Sequence, residues 1–319
     1  MSARRIIHGD ALERLRELDA GSAQACVTSP PYWGLRDYGA DGQIGLEETP
    51  EAYIARLVAV FEEVRRVLAD DGCLWLNLGD SYNGSSGSGG ATAKQITNAG
   101  FFHAAGIRTA AGLKPKDLVG IPWRVAFALQ SAGWYLRSDV IWAKPNPMPE
   151  SVTDRPTKAH EYIFLLTKAA RYFYDADAVR EAHASGEWWD RPQFNIKGNA
   201  NRGDKGQPPH SANPAGRNAR TVWTITPKPY NDAHFATFPP ELPRRCILAS
   251  TRRGDVVLDP FAGSGTTGAV ALAEGREALM IELNPDYCKL MKQRLARVTT
   301  GVTEREQKQG QRGMFEGLA

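Results

Sequence analysis

Two short strings in this chain carry residue types and spacings that could do chemistry. Residues 263–268 read Gly-Ser-Gly-Thr-Thr-Gly, a match to G-x-G-x-x-G. They follow an apolar run, Val256–Leu258, that ends at Asp259, and they precede a helical pattern near 267–274 closed by Gly275. Glu282 stands at the end of the next apolar run, 19 positions after Gly263. Strand, glycine turn, helix and acid in that order make a nucleotide-type cofactor site: glycines let the backbone approach the ligand, and the acid accepts hydrogen bonds from ribose hydroxyls. A nicotinamide-dependent oxidoreductase is therefore one reading. Pro260 and Phe261 weigh against it, because a pyrophosphate loop needs free N–H donors and proline has none. The second string is Thr28-Ser-Pro-Pro-Tyr-Trp33, directly after the apolar residues 23–28. A proline pair cannot continue a central strand. On residue types alone this is a rigid turn with packing aromatics.

These strings need elements to hold them, and the chain supplies alternating strand and helix patterns. Residues 50–69 have the period of an amphipathic helix, with Thr49 as N-cap, Pro50 at the first position, and Leu57, Val60, Phe61, Val64 and Leu68 recurring on one face. Asp71-Gly72 predicts a turn into a short strand at Cys73–Leu78. Such a β-loop-α-β unit implies a parallel sheet. Residues 83–113, rich in Gly, Ser, Ala and Thr, predict a long mobile loop. Helix and strand patterns return at 117–132, 135–142 and 160–167, and again from 240, where Pro239-Pro240 leads into a helix through Leu248. Ala278–Leu283 reads as a strand, and Asn284 caps a last helix with Pro285 at its first position. The expected fold is α/β, a doubly wound, mostly parallel sheet. The polar tail after about 298 predicts a frayed end.

Composition narrows the function classes. Cys26, Cys73, Cys246 and Cys288 are scattered and form no CxxC pair, which argues against a disulfide framework or a zinc site and fits a reducing cytoplasm. No metal is expected. No apolar run approaches membrane-spanning length, and the N-terminus lacks a signal-peptide pattern. The net charge of +3 is uninformative by itself. It is unevenly spread, however. Residues 183–222 predict a second irregular stretch, and between Arg191 and Lys228 stand seven basic residues, five asparagines and one acid, Asp204. Such a stretch is either a solvated insertion or a surface that meets phosphates and base edges.

The longer string Asp259-Pro-Phe-Ala-Gly-Ser-Gly-Thr-Thr-Gly268 resembles the S-adenosylmethionine loop of amino-methyltransferases, whose pattern is D-P-F-x-G-S-G-T-T. Ser29-Pro-Pro-Tyr32 resembles the catalytic motif of the same enzymes, which usually begins with Ser in those that modify N4 of cytosine and with Asp or Asn in those that modify adenine. The resemblance covers most of 5–182 and 237–297. It implies a Rossmann-like methyltransferase fold with Asp259, Phe261, Gly263, Gly265 and Thr266 at the cofactor and Glu282 on its ribose hydroxyls. It also puts Asp10, in His8-Gly9-Asp10, near the cofactor's adenine, although Asp10 reads equally well as a plain N-cap. The catalytic motif comes first and the cofactor loop last, the order of the β group. Protein-glutamine and RNA-guanine methyltransferases usually have the cofactor loop first. Enzymes of the β group carry target recognition between the halves. The implied organisation is a catalytic half at 1–182, a recognition region at 183–236, a cofactor half at 237–297 and a tail at 298–319. Arg191, Lys197, Arg202, Lys205, Arg217 and Arg220 become the expected contacts to double-stranded DNA.

The implied chemistry explains the residue types. An exocyclic amino group is a poor nucleophile because its lone pair is drawn into the ring. Acceptors at its hydrogens, here Ser29 Oγ and the Pro30 carbonyl, pull the nitrogen toward sp3. Pro30 and Pro31 fix the carbonyl direction in advance. Tyr32 offers a flat face to a base taken out of the duplex. The expected activity is N4-cytosine methylation of DNA, with N6-adenine methylation by the same fold as the alternative. A non-enzymatic DNA-binding protein on a decayed fold would not need Ser29, Tyr32, Asp259 and Glu282 intact. The resemblance leaves room for a homodimer and for a cognate restriction endonuclease. All of this requires that the proline corner and the glycine bend share one cleft.

Overall fold

Apolar residues on both faces of the central strands dictate a sheet covered on two sides, and that is what forms. The computed structural model describes residues 4–37, 39–84, 103–104, 112–182, 215–227 and 238–300. Eight strands make one sheet: β1 (Arg4–His8), β2 (Ala23–Thr28), β4 (Leu68–Leu78), β6 (Tyr135–Ala143), β7 (His160–Thr167), β8 (Val222–Thr224), β9 (Val256–Asp259) and β10 (Glu277–Glu282). Their order is β1-β10-β9-β2-β4-β7-β6-β8, and β7 alone runs antiparallel to its neighbours. Two short strands, β3 (Arg36–Asp37) and β5 (His103–Ala104), pair apart from it.

Helices α1 (Ala11–Arg16), α2 (Pro50–Val67) and α3 (Ile121–Ser131) cover one face, where Leu15, Leu57, Phe61, Val125 and Leu129 pack on Cys26, Leu74, Leu76 and Leu258. The other face takes α4 (Glu241–Ser250), α5 (Thr266–Ala273) and α6 (Pro285–Thr300), with Cys246, Ile247, Val270, Met291 and Leu295 on Val27, Trp75 and Val257. Neighbouring residues in β2, β4 and β9 thus point into opposite cores, the pattern of buried parallel strands. Helix α2 begins as its sequence demands: Thr49 Oγ1 accepts from Ala52 N at 3.1 Å, and Pro50 takes the first turn. Its buried residues Tyr53, Leu57, Val60, Phe61, Val64 and Val67 are each worth about 1.5–3 kcal/mol out of water.

Two expectations change. The turn at Asp71-Gly72 does not separate α2 from a short strand: β4 starts at Leu68 and runs on through an irregularity opposite Ala23 and Ala25. Gln24 Nε2 holds that excursion by donating to Asp71 Oδ1 at 3.1 Å. Within 183–222, expected to be irregular, Val222 begins β8, and Trp223 is 5% exposed and packed against Trp75. A buried indole on a sheet neighbour overrides the polar character of the surrounding residues. The loop expected at 83–113 lies mostly outside the described residues, as does the tail beyond 300; inside it, His103–Ala104 forms β5. All four cysteines are buried and free, as packing residues would be. Among the described residues no helix is long and apolar enough to cross a membrane.

Candidate active site

Strands β2 and β9 are parallel neighbours, so the chain leaves both at the same edge of the sheet. Ser29 follows β2 and Pro260 follows β9. The two corners are tied directly: Thr28 Oγ1 donates to Asp259 Oδ1 at 2.6 Å, across 231 positions of sequence. Thr267 Oγ1 donates to the Val27 carbonyl at 3.2 Å. A single cavity of about 740 Å³ opens there, and both the proline corner and the glycine loop line it.

On the side of the glycine loop the wall comprises Asp10, Asp259, Phe261, Gly263, Thr266 and Glu282. Gly263 has φ +52° and open space where a Cβ would stand, so a ligand can approach its backbone. Glu282 Oε2 accepts from Gly263 N at 2.7 Å and Oε1 from Asn284 N at 2.8 Å, which fixes the carboxylate at the end of β10. Burial raises its pKa, with the nearby Asp259 charge adding to the effect. Burial likewise pushes Asp259 up to about 6, although Thr28, Thr267 and the Phe261 N–H favour its charged form. Asp10 is the N-cap of α1, accepting from Leu12 N at 2.9 Å and Glu13 N at 3.1 Å, and it also faces the cavity. Gly265 behaves differently. It is not on the cavity wall; its φ is +79°, and a Cβ there would meet Met291 Cγ at 2.4 Å. Its place is set by the packing of α5 on α6.

On the opposite side stand Ser29, Pro30, Pro31, Tyr32, Asn77, Trp142, Lys144 and Glu161. The Pro31 carbonyl accepts from Tyr53 Oη at 2.8 Å, anchoring the corner to α2. Tyr32 does more than present a ring. Its hydroxyl donates to Glu161 Oε2 at 2.7 Å and accepts from Asn77 Nδ2 at 2.8 Å, and Ser29 Oγ lies 3.3 Å from it. Burial, then the Glu161 charge, holds the phenol well above its ordinary pKa. The ring packs on Gly79, where a Cβ would come within 2.4 Å of Tyr32 Cε2. Glu161 also accepts from Asn77 Nδ2 at 2.9 Å and pairs with Lys144 Nζ.

Asn77, Lys144 and Glu161 escaped the sequence reading. They meet because β7 runs backwards: its first residues lie beside the last residues of β4 and β6, with Leu78 opposite Tyr162 and Trp142 opposite Glu161. The available signal was a polar residue at the tip of each apolar run, Asn77 in Leu-Trp-Leu-Asn-Leu and Lys144 after Ile-Trp-Ala.

Of the residues expected at DNA, Arg191, Lys197, Arg202 and Lys205 lie outside the described residues. Arg217 and Arg220 are described and share one carboxylate: their Nε atoms lie 3.2 and 2.8 Å from Glu181 Oε2.

A mostly parallel doubly wound sheet, with a glycine loop, a strand-end carboxylate and a proline corner on one cavity, is the layout of a Rossmann-like methyltransferase. Solved structures share the fold. A putative DNA modification methylase from Thermus thermophilus, solved in complex with S-adenosyl-L-methionine, matches with TM-score 0.58 at 26% identity, over 93% of this chain and 95% of that one. PvuII DNA methyltransferase (cytosine-N4-specific) matches with TM-score 0.62 at 20% identity, over 94% and 91%, a likeness of fold. Among sequence relatives, Type II methyltransferase M.Cfr9I of Citrobacter freundii is 52% identical over 93% of this chain and 89% of its own length. The N6/N4 family model described as DNA methylase matches residues 23–293, and this chain belongs to that family of DNA methyltransferases.

Proposed function

We propose that the protein transfers a methyl group from S-adenosylmethionine to N4 of a cytosine extruded from double-stranded DNA. The observation that carries this is the placement of Ser29 and Glu282 on the walls of one cavity, with Thr28 and Asp259 clasping the two corners together. The open space at Gly263 and the fixed Glu282 carboxylate suit a nucleoside-bearing cofactor, whose ribose hydroxyls would donate to Glu282. Phe261, which packs edge-on against Phe61 with ring centroids 6.4 Å apart, gives that side an apolar wall. Asp10, on the same wall, would offer an acceptor to the amino group of the cofactor's adenine. When bound, the cofactor supplies an electrophilic methyl group on a sulfonium.

The chain's own residues prepare the nucleophile. Ser29 Oγ and the Pro30 carbonyl accept the amino hydrogens and free the nitrogen lone pair. Pro30 and Pro31 are rigid, and Tyr53 fixes the Pro31 carbonyl, so the corner loses little entropy on binding. Tyr32, gripped by Glu161 and Asn77, sets one wall for the base. No covalent bond to protein is needed. The first residue of the corner, Ser29, favours cytosine over adenine, a choice that the family name leaves open. The recognition region is proposed at 183–236, with Arg191, Lys197, Arg202, Lys205, Arg217 and Arg220 on phosphates and base edges. A cognate restriction endonuclease and a homodimer are the further partners that the family resemblance leaves room for.

The test is to methylate DNA with the purified protein, digest it to nucleosides and identify the product by mass. N4-methylcytosine is expected, and sequencing the modified positions yields the recognition site. Methyladenine as the sole product contradicts the base assignment.

A further inference from the structure

The cavity side that holds Ser29 contains an ion pair that the amino-group chemistry does not use. Lys144 follows the last residue of β6, with its backbone N–H on the Ala159 carbonyl at 2.8 Å. Its side chain is 21% exposed, and it is the only cation among the described residues lining the cavity. One donor goes to Glu161 Oε1. The ammonium also sits 4.4 Å from the centroid of the Trp142 ring, a buried indole two residues earlier on the same strand face. An ammonium has three N–H donors, so donor capacity is left over. Glu161 is tied into the wall: Oε1 accepts from Lys144, and Oε2 accepts from both Tyr32 Oη and Asn77 Nδ2. The carboxylate is the holder and Lys144 is the held donor.

Its position relative to Ser29 matters. From Ser29 Oγ the chain of contacts runs through Tyr32 Oη and Glu161 to Lys144. Acceptors for an amino group therefore lie at one end of this wall and a cationic donor at the other. The edge of an extruded cytosine has matching polarity, with the N4 amino donor at one end and the O2 carbonyl acceptor at the other. Adenine also offers an amino group and an adjacent ring nitrogen, but a C–H replaces O2, and a donor facing it goes unpaired. Extruded bases are read by hydrogen bonds along this edge.

We propose that Lys144 reads the O2 carbonyl of the target cytosine and so selects cytosine over adenine, with Glu161 as the positioning residue that aims it. This rests on the proposed N4 chemistry. The probe is a duplex carrying the site found by sequencing, with the target mispaired and being either cytosine or the 2-aminopyridine C-nucleoside. That analogue keeps the amino group and ring nitrogen and lacks the O2 carbonyl. Affinities are measured by fluorescence anisotropy at pH 8 without methyl donor. The wild type should prefer the cytosine duplex by roughly tenfold to a hundredfold, the range of a hydrogen bond to a charged group. Lys144→Met should bind both duplexes alike, and Lys144→Arg should keep part of the preference. The double variant Lys144→Met/Glu161→Gln, which leaves no unpaired charge against Tyr32, should also bind both alike.

A preference that survives both methionine variants, or a wild-type ratio near one, overturns the proposal. The two readings fail separately. If the wild type makes only methyladenine, the cytosine assignment falls and the role of Lys144 falls with it. If it makes N4-methylcytosine and the variants keep the preference, only the role of Lys144 is lost.

Discussion

Asp259 is a carboxylate placed where burial opposes its charge, and the fold accepts this because the group clasps two loops. The consequence is a pH-dependent stability with a definite sign. Its folded pKa of about 6 lies above the ordinary 3.8. The stability associated with its neutral form is fully present below about pH 4 and is lost as pH rises through about 6. Asp259→Asn keeps an oxygen for Thr28 Oγ1 and the Phe261 N–H and removes the charge. The variant should match the wild type below pH 4 and exceed it by about 3 kcal/mol at pH 8, from 1.36 kcal/mol per unit. Urea denaturation at the two pH values reads the difference, and equal curves at pH 8 would mean that the carboxyl is not strained. Single residues were unevenly legible in sequence. Ser29 and Glu282 stood out because contiguous strings surround them. Glu161, Asn77 and Lys144 did not, because what unites them is register between strands, which no local window contains. Gly265 fitted the loop pattern, yet the space it leaves is taken by Met291.

At the scale of elements, the strands and helices followed from period and caps, while their irregularities did not. Thr49, Pro50 and the apolar stripe defined α2, and Pro260 and Gly263 marked the end of β9. The passage from Val67 into Leu68 escaped notice because β4 begins without an intervening loop. Strand β8 was hidden in a polar stretch because its membership depends on Trp223 finding Trp75. The end of β4 illustrates how an element shapes the site. Gly79 follows it directly and leaves the room that the Tyr32 ring occupies. Gly79→Ala should force that ring off the Asn77–Glu161 contacts or strain the corner by roughly 1–3 kcal/mol. Methyl transfer should fall well below wild type while S-adenosylmethionine affinity, measured by calorimetry, stays close to it. Loss of cofactor affinity to the same degree would show that the effect spreads beyond the Tyr32 wall.

At the scale of the molecule, the sheet order makes one cleft from distant halves, since β2 and β9 are neighbours although the sequence between them contains most of the protein. Arg217 and Arg220 share Glu181, so neutralising both removes two cations and strands one carboxylate. Replacing both with Gln should weaken DNA binding and flatten the log–log salt dependence by about one to two units of slope, since each phosphate contact contributes about 0.9. An unchanged slope in a salt titration would place recognition elsewhere.

The central claim is that cofactor and base meet in this one cleft with divided labour, Ser29 touching only the base. Single-turnover methylation by Ser29→Ala, set beside its S-adenosylmethionine dissociation constant, tests it most directly. The account predicts a rate lowered by about 10²–10³, the loss typical of one preorganised polar contact, with cofactor affinity nearly unchanged. Equal losses in rate and cofactor affinity would contradict it.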